Sequence, residues 1–213
     1  GNRIEAQWDG RAKSSAYTIN VFTGERKTVY KNLYANADAS PAGKFVYWYN
    51  AEKKNYFTYE IATGITRNVT ERIKVPLYEE DNDVPDFAAP YGVMGWHEGD
   101  SAVYLYDRYD VWKVPLSNNL KPYVFTQFAQ FSGRKQRGVF RNLNVDNDRK
   151  YITSKQKLYF RYINEDTKGG GILGIAFSPL QMDFITRDLS SGFSYNTFLK
   201  AKNKIKAAQL LLS

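Results

Sequence analysis

Glu79, Glu80, Asp81, Asn82, Asp83 and Asp86 crowd six oxygen-bearing side chains into residues 79–86. Hard oxygen ligands at that density are the chemistry of a calcium loop. The spacing lacks the central glycine and terminal glutamate of an EF-hand, so a solvated acidic loop is expected instead. Asp146-Asn147-Asp148 offers the same ligand types, and an Asx turn accounts for it as well or better. The single histidine, His97, stands in Trp96-His97-Glu98-Gly99-Asp100. As a general base it would need a nucleophile and an orienting acid, and Glu98 cannot orient it from the adjacent position on a strand. A turn residue bonded to backbone is expected. Gly169-Gly170-Gly171 lacks the Lys-Ser/Thr ending and following helix of a phosphate loop and reads as a hairpin loop. A G-x-S-x-G nucleophile elbow is missing: GGGILG at 169–174 has no central serine, and Ser190-Ser191-Gly192 lacks the preceding glycine. With no cysteine, disulfides and thiolate metal sites are excluded. No catalytic residue, metal or cofactor is therefore assigned.

The elements that would position these groups are strands. Short alternating runs bounded by turn residues dominate until the C-terminus. The clearest run is SPAGKFVYWYNAEKKNYFTYEIATG, residues 40–64: a polar turn, two aromatic-rich strands and a Thr-Gly turn, with residues 66–70 as the returning strand. Large groups on both faces of residues 45–49 predict burial on both sides. The order recurs. Residues 4–8, 16–22 and 26–30 surround the turn Thr23-Gly24, and HEGD at 97–100 stands where SPAG stood. It leads to strands at 101–106, 111–114 and 122–126, with a turn at Ser117-Asn118-Asn119. A weaker unit spans 155–163, 171–177 and 183–187. Two Thr-Gly turns 40 residues apart match the ~40–50-residue spacing of propeller blades. The predicted fold is all-β: a β-propeller, or an open propeller fragment, of about four blades built from four-stranded antiparallel sheets, in a single domain over 1–213. Residues 71–90 read as a loop inserted between blades. The tail at 200–213 places Ile205, Ala208 and Leu212 on one helical stripe, and the sequence leaves a short helix or a strand remnant open. Trp48, Trp96 and Trp112 are expected to pack between blades, and Asp107 and Asp110 to satisfy backbone amides there.

Composition excludes several partners. The 17 Tyr, 13 Phe and 4 Trp favour pleated sheet, and no run approaches the ~20 apolar residues of a membrane-spanning helix. The net charge of +8 is scattered in pieces such as Lys53-Lys54, Arg134-Lys135 and alternate lysines from 200 to 206. No basic run interleaves with stacking aromatics, so nucleic acid is not an expected partner. The polar start Gly1-Asn2-Arg3 carries no signal peptide, and a chain opening on Gly is expected to be a processed or cloned piece.

QWDG (7–10), VFTGERK (21–27), SPAGKFVYWYN (40–50), YEIATGITRNVTE (59–71), PYGVMGWHEGD (90–100) and YDRYDVWKV (106–114) carry a resemblance. Together they resemble the N-terminal β-propeller of the prolyl oligopeptidase family of serine peptidases, in particular its dipeptidyl-peptidase-like members common in Bacteroidetes. The likeness runs from about residue 3 to 163, and WHEGD with YDRYDVW is its most specific part. It implies a parent protein, periplasmic or secreted, whose catalysis lies in an α/β-hydrolase domain that this chain does not contain. This chain would then gate peptide substrates by size and help to bind them. The resemblance also implies an acidic pair that holds the substrate's α-ammonium group, for which Glu79 and Glu80 are the candidates. The other reading is a stand-alone propeller-like module that binds a protein or glycan. Oligomeric state is not set by the sequence.

Overall fold

The computed structural model describes residues 12–117, 120–127, 132–145, 150–177, 180–189, 199–200 and 207–208. They form an all-β protein with one short α-helix, and no described helix is long and apolar enough to cross a membrane. The chain divides into two compact units, residues 1–108 with 113–123 and residues 109–112 with 124–213.

In the first unit β1 (Ser14–Ile19) and β2 (Arg26–Leu33) form a two-stranded antiparallel sheet. β3 (Ala37–Ala39), β4 (Phe45–Asn50), β5 (Asn55–Glu60) and β6 (Thr66–Asn68) then follow as a four-stranded meander. Another contains β7 (Val93–Trp96), β8 (Ala102–Tyr106), β9 (Val111–Pro115) and β10 (Tyr123–Val124), with the start of β9 grouping in the second unit. The second unit carries α1 (Gly133–Gln136) and a meander of β11 (Gly138–Asn142), β12 (Lys157–Asn164), β13 (Gly170–Phe177) and β14 (Leu180–Leu189). Leu199–Lys200 (β15) pairs with Ala207–Ala208 (β16), and the rest of the tail, like residues 4–8, lies outside the described residues.

Side chains on successive strand positions point to opposite faces, and β4 uses both. Trp48 packs on Tyr30 of β2, ring centroids 5.0 Å apart, whereas Phe45 and Tyr47 meet Trp96 of β7 at 6.4 and 5.0 Å. Aromatic faces thus join three consecutive sheets, and β4 is buried at Phe45, Trp48 and Asn50 and half-buried at Val46, Tyr47 and Tyr49. The core of the second unit is Phe140, Phe160, Leu173 and Ile175, all without exposed surface.

Hydrogen bonds show the internal repeat more sharply than strand lengths do. Before β4, Gly43 N–H donates to Ser40 O at 2.8 Å; before β8, Asp100 N–H donates to His97 O at 3.0 Å. Gly43 and Asp100 both take positive φ, +70° and +56°. Asp100 accepts this less favourable conformation because its buried carboxylate receives Ser40 Oγ at 2.5 Å and the amides of Ala42 and Lys44 at 3.1 and 3.3 Å. The turn before β8 is therefore tethered to the turn before β4. A second repeated device closes the meanders. Tyr56 N–H donates to Thr70 Oγ1 and that hydroxyl donates to Asn55 Oδ1, at 2.9 and 2.8 Å. Val111, Thr126 and Asp110 repeat the arrangement at 3.1 and 2.8 Å.

Candidate functional site

The residues between β6 and β7 form no strand except a single bridge from Tyr78 to Pro90. Glu79 N–H donates to Ala89 O and Tyr91 N–H to Leu77 O, at 2.9 and 3.0 Å, so the loop folds back on itself. Its return limb, Ala88-Ala89-Pro90, forms one wall of a cavity of about 490 Å³. Tyr34, Ala35 and Asn36 come from the link between β2 and β3, Tyr49 from β4, and Ala51 follows it. Ala51 N–H donates to Tyr34 O at 3.2 Å, which holds those two walls together. Phe87 packs on Tyr34 with ring centroids 5.2 Å apart and ties the loop to the same wall.

Every described lining side chain is uncharged. Burial, with Tyr78 nearby, pushes the Tyr49 hydroxyl up to about 12, so it stays protonated at physiological pH. That hydroxyl is buried and has no hydrogen-bond partner among the described residues, whereas a buried hydroxyl is ordinarily satisfied. The volume falls within the ~300–1,000 Å³ of small-ligand sites, and small alanines around two tyrosine rings and one carboxamide suit a neutral, largely apolar group.

Glu79 and Glu80 are exposed. Glu79 is bonded through its amide to cavity-lining Ala89, and Glu80 N–H donates to Tyr91 Oη at 3.2 Å. Asp81 instead pairs with Arg108 at 2.8 Å, and Asn82 caps its own loop by donating to Asp86 O at 2.9 Å. Among the described residues no three His, Cys, Asp or Glu side chains cluster so as to hold a metal ion. Asp146-Asn147-Asp148 lies outside the described residues.

His97 is part of a turn, its amide bonded to Ala102 O at 2.8 Å, and its Nδ1 lies 3.0 Å from Tyr104 Oη. Burial, and then the Lys113 cation, hold the imidazole below its ordinary value of 6.5. The unfolded chain therefore binds a proton first as pH falls through 6.5. Stability contributed by the neutral ring is full above that value and lost below it. A nuclear magnetic resonance titration is expected to place His97 below 6.5, and His97→Gln to flatten the decline of stability under pH 6.5. A midpoint at or above 6.5 would contradict this.

Trp48 and Trp96 are buried and Trp112 is half-buried. Asp107 is buried, and so is Asp110, whose carboxylate accepts from Thr126 Oγ1 and from the Gly133 and Arg134 amides. Gly169-Gly170-Gly171 ends a hairpin turn and begins β13. The cavity residues Tyr34, Asn36, Tyr49 and Ala51 have no motif among them, since they come from separate elements. The one local signal is Ala88-Ala89-Pro90 closing the acidic loop.

No family model matches the chain, and no curated protein matches it. Among solved structures it is similar to a chain of a nidogen/laminin complex, at 10% identity over 84% of this chain with a TM-score of 0.41. It is also similar to auxiliary nutrient binding proteins of Bacteroides thetaiotaomicron, at 10% identity over 79% with a TM-score of 0.34, and of Bacteroides ovatus, at 13% over 76% with a TM-score of 0.35. The chain spans 59%, 40% and 38% of those three chains.

Proposed function

We propose that this chain is a non-catalytic domain of about four propeller blades that receives the amino terminus of a peptide, serving a serine peptidase of the prolyl oligopeptidase kind. The observation that carries the binding role is the bond from Glu79 to Ala89, which ties an exposed acidic pair to the wall of an uncharged cavity. A peptide's α-ammonium pairs with Glu79 and Glu80, and its first side chain enters among the alanines and tyrosines. The peptidase parent rests on the resemblance in WHEGD and YDRYDVW, and a periplasmic or secreted location follows from it.

Binding of short peptides with free or acetylated amino termini, followed by calorimetry, tests this. Free-amine peptides are expected to bind more tightly, and Glu79→Gln with Glu80→Gln to weaken them about tenfold, from two exposed ion pairs worth up to ~1 kcal/mol each. The acetylated peptide should be unaffected. Equal binding of both peptides would sink the ammonium role. Binding of a neutral glycan alone would support the stand-alone module instead.

A further inference from the structure

A six-residue hairpin turn occurs three times in the described chain with the same hydrogen bonds. In residues 20–25 Gly24 N–H donates to Asn20 O and Asn20 N–H to Glu25 O, at 2.8 and 2.9 Å. In 60–65 the equivalents are Gly64 to Glu60 and Glu60 to Ile65, and in 164–169 Lys168 to Asn164 and Asn164 to Gly169, all at 2.8–3.0 Å. The first and third also share a side-chain brace. Asn20 Oδ1 accepts the Phe22 and Thr23 amides, and Asn164 Oδ1 those of Asp166 and Thr167.

The three copies differ in what they display. Glu165 and Asp166 occupy the two leading positions of the third turn and are paired with Arg137 at 3.0 and 2.8 Å. The first turn places Val21 and Phe22 there, 85% and 95% exposed, with Ile19 at 61%. The turn's backbone is served equally well by charged residues, so its geometry does not require this apolar tip. Nor is the tip a loose end, since Asn20 braces it. Large apolar side chains held out in water at a braced point mark a contact site.

The flanks indicate what it contacts. Arg26 pairs with Ile19 across the hairpin and Lys27 with Thr18. The Arg26 guanidinium lies 3.4 Å from the centroid of the Tyr17 ring. Behind the Val21–Phe22 tip, Arg26 is thus two residues or ~7 Å back, level with Ile19, Lys27 stands one position further at the level of Thr18, and Tyr17 follows beneath the Arg26 guanidinium. That is the depth at which interfacial segments carry amphipathic rings and basic groups at the headgroup level. The Glu25 carboxylate is partly offset by Lys27 at 3.6 Å. We infer that the hairpin tip around Val21 and Phe22 docks this protein peripherally on an anionic lipid surface, with Val21 and Phe22 entering the acyl boundary and Arg26 and Lys27, level with Ile19 and Thr18, meeting the headgroups.

Co-sedimentation of the full chain with vesicles of phosphatidylcholine containing 30% phosphatidylglycerol, compared with phosphatidylcholine alone, tests the proposal. Anionic vesicles are expected to retain the protein, and Val21→Ser with Phe22→Ser to lower partitioning at least tenfold. Both positions are solvent-exposed, so circular dichroism should show an unchanged fold. Arg26→Gln and Lys27→Gln should each lower partitioning about fivefold and reduce its salt dependence. Failure of the wild type to co-sediment at low salt, or equal retention of the serine variant, overturns the inference. So does light scattering that shows self-association abolished by the serine pair without vesicle binding, because the tip would then be a contact between copies.

Discussion

Asp110→Ala is expected to lower stability by about 3–5 kcal/mol, among the largest effects available outside the aromatic core. Its carboxylate is 2% exposed and accepts from Thr126 Oγ1 at 2.8 Å and from the Gly133 and Arg134 amides at 3.0 Å each. Ser132 Oγ lies at 3.4 Å. Truncation strands these donors away from water, and a buried donor left unpaired costs about 1–3 kcal/mol. The same packing explains Gly133: a Cβ there would stand 2.7 Å from Asp110 Oδ1 and 2.6 Å from Gly138 O. Asn55, the counterpart of Asp110 in the second sheet, supplies the control. It is half-buried and accepts one bond from Thr70, so Asn55→Ala should cost about 1 kcal/mol. Urea unfolding of the two variants measures the difference. Equal losses would show that the Asp110 network is not the anchor of α1 and the start of β9.

The contrast between Asp110 and Asn55 also shows what a sequence displays. Pro-Ala-Gly and Thr-Gly turns announce themselves because glycine supplies positive φ at Gly43 and Gly64. HEGD stands before its strand as SPAG does, and the turn bonds at Ser40 and His97 match, although the position of Gly43 is taken by Asp100 at positive φ. The threonine clasp was not, because Asn55 and Thr70, or Asp110 and Thr126, are separated by 15 and 16 residues with nothing conspicuous between. In the last meander the repeated six-residue turn joins the second and third strands, β12 and β13, at residues 164–169, whereas in the second sheet it joins the third and fourth. There Lys168 takes φ +60° where glycine stands in the other copies, and Asn164 braces the turn, so no Thr-Gly signal exists. The cavity was hidden more completely. Its walls come from the β2–β3 link, β4 and the end of a 20-residue loop, and no periodicity connects them.

Trp48→Ala and Trp96→Ala are each expected to cost about 3–5 kcal/mol, and Trp112→Ala less than half of that. The sequence treats all three tryptophans alike; burial separates them. Trp48 is 3% exposed and Trp96 4%, whereas Trp112 is half-buried. The Trp48 ring sits 5.0 Å from Tyr30 and 5.8 Å from Phe57, stacked on the latter at 14°. Its loss opens the seam where β2 meets β4. Trp96 fills the next seam between Phe45 and Tyr47. If these rings bridge sheets rather than pad one of them, the Trp48–Tyr30 pair should show a coupling of about 0.5–1.5 kcal/mol in a double-mutant cycle of urea unfolding. Trp48 and Tyr104, whose rings are not paired with each other, should add without coupling. A Trp48–Tyr30 coupling near zero would mean that the first hairpin is held to the second sheet by its backbone link and not by the aromatic face. In that case Trp48→Ala would weaken the second sheet without releasing the hairpin, and hydrogen exchange of β1 and β2 would stay as slow as in the wild type.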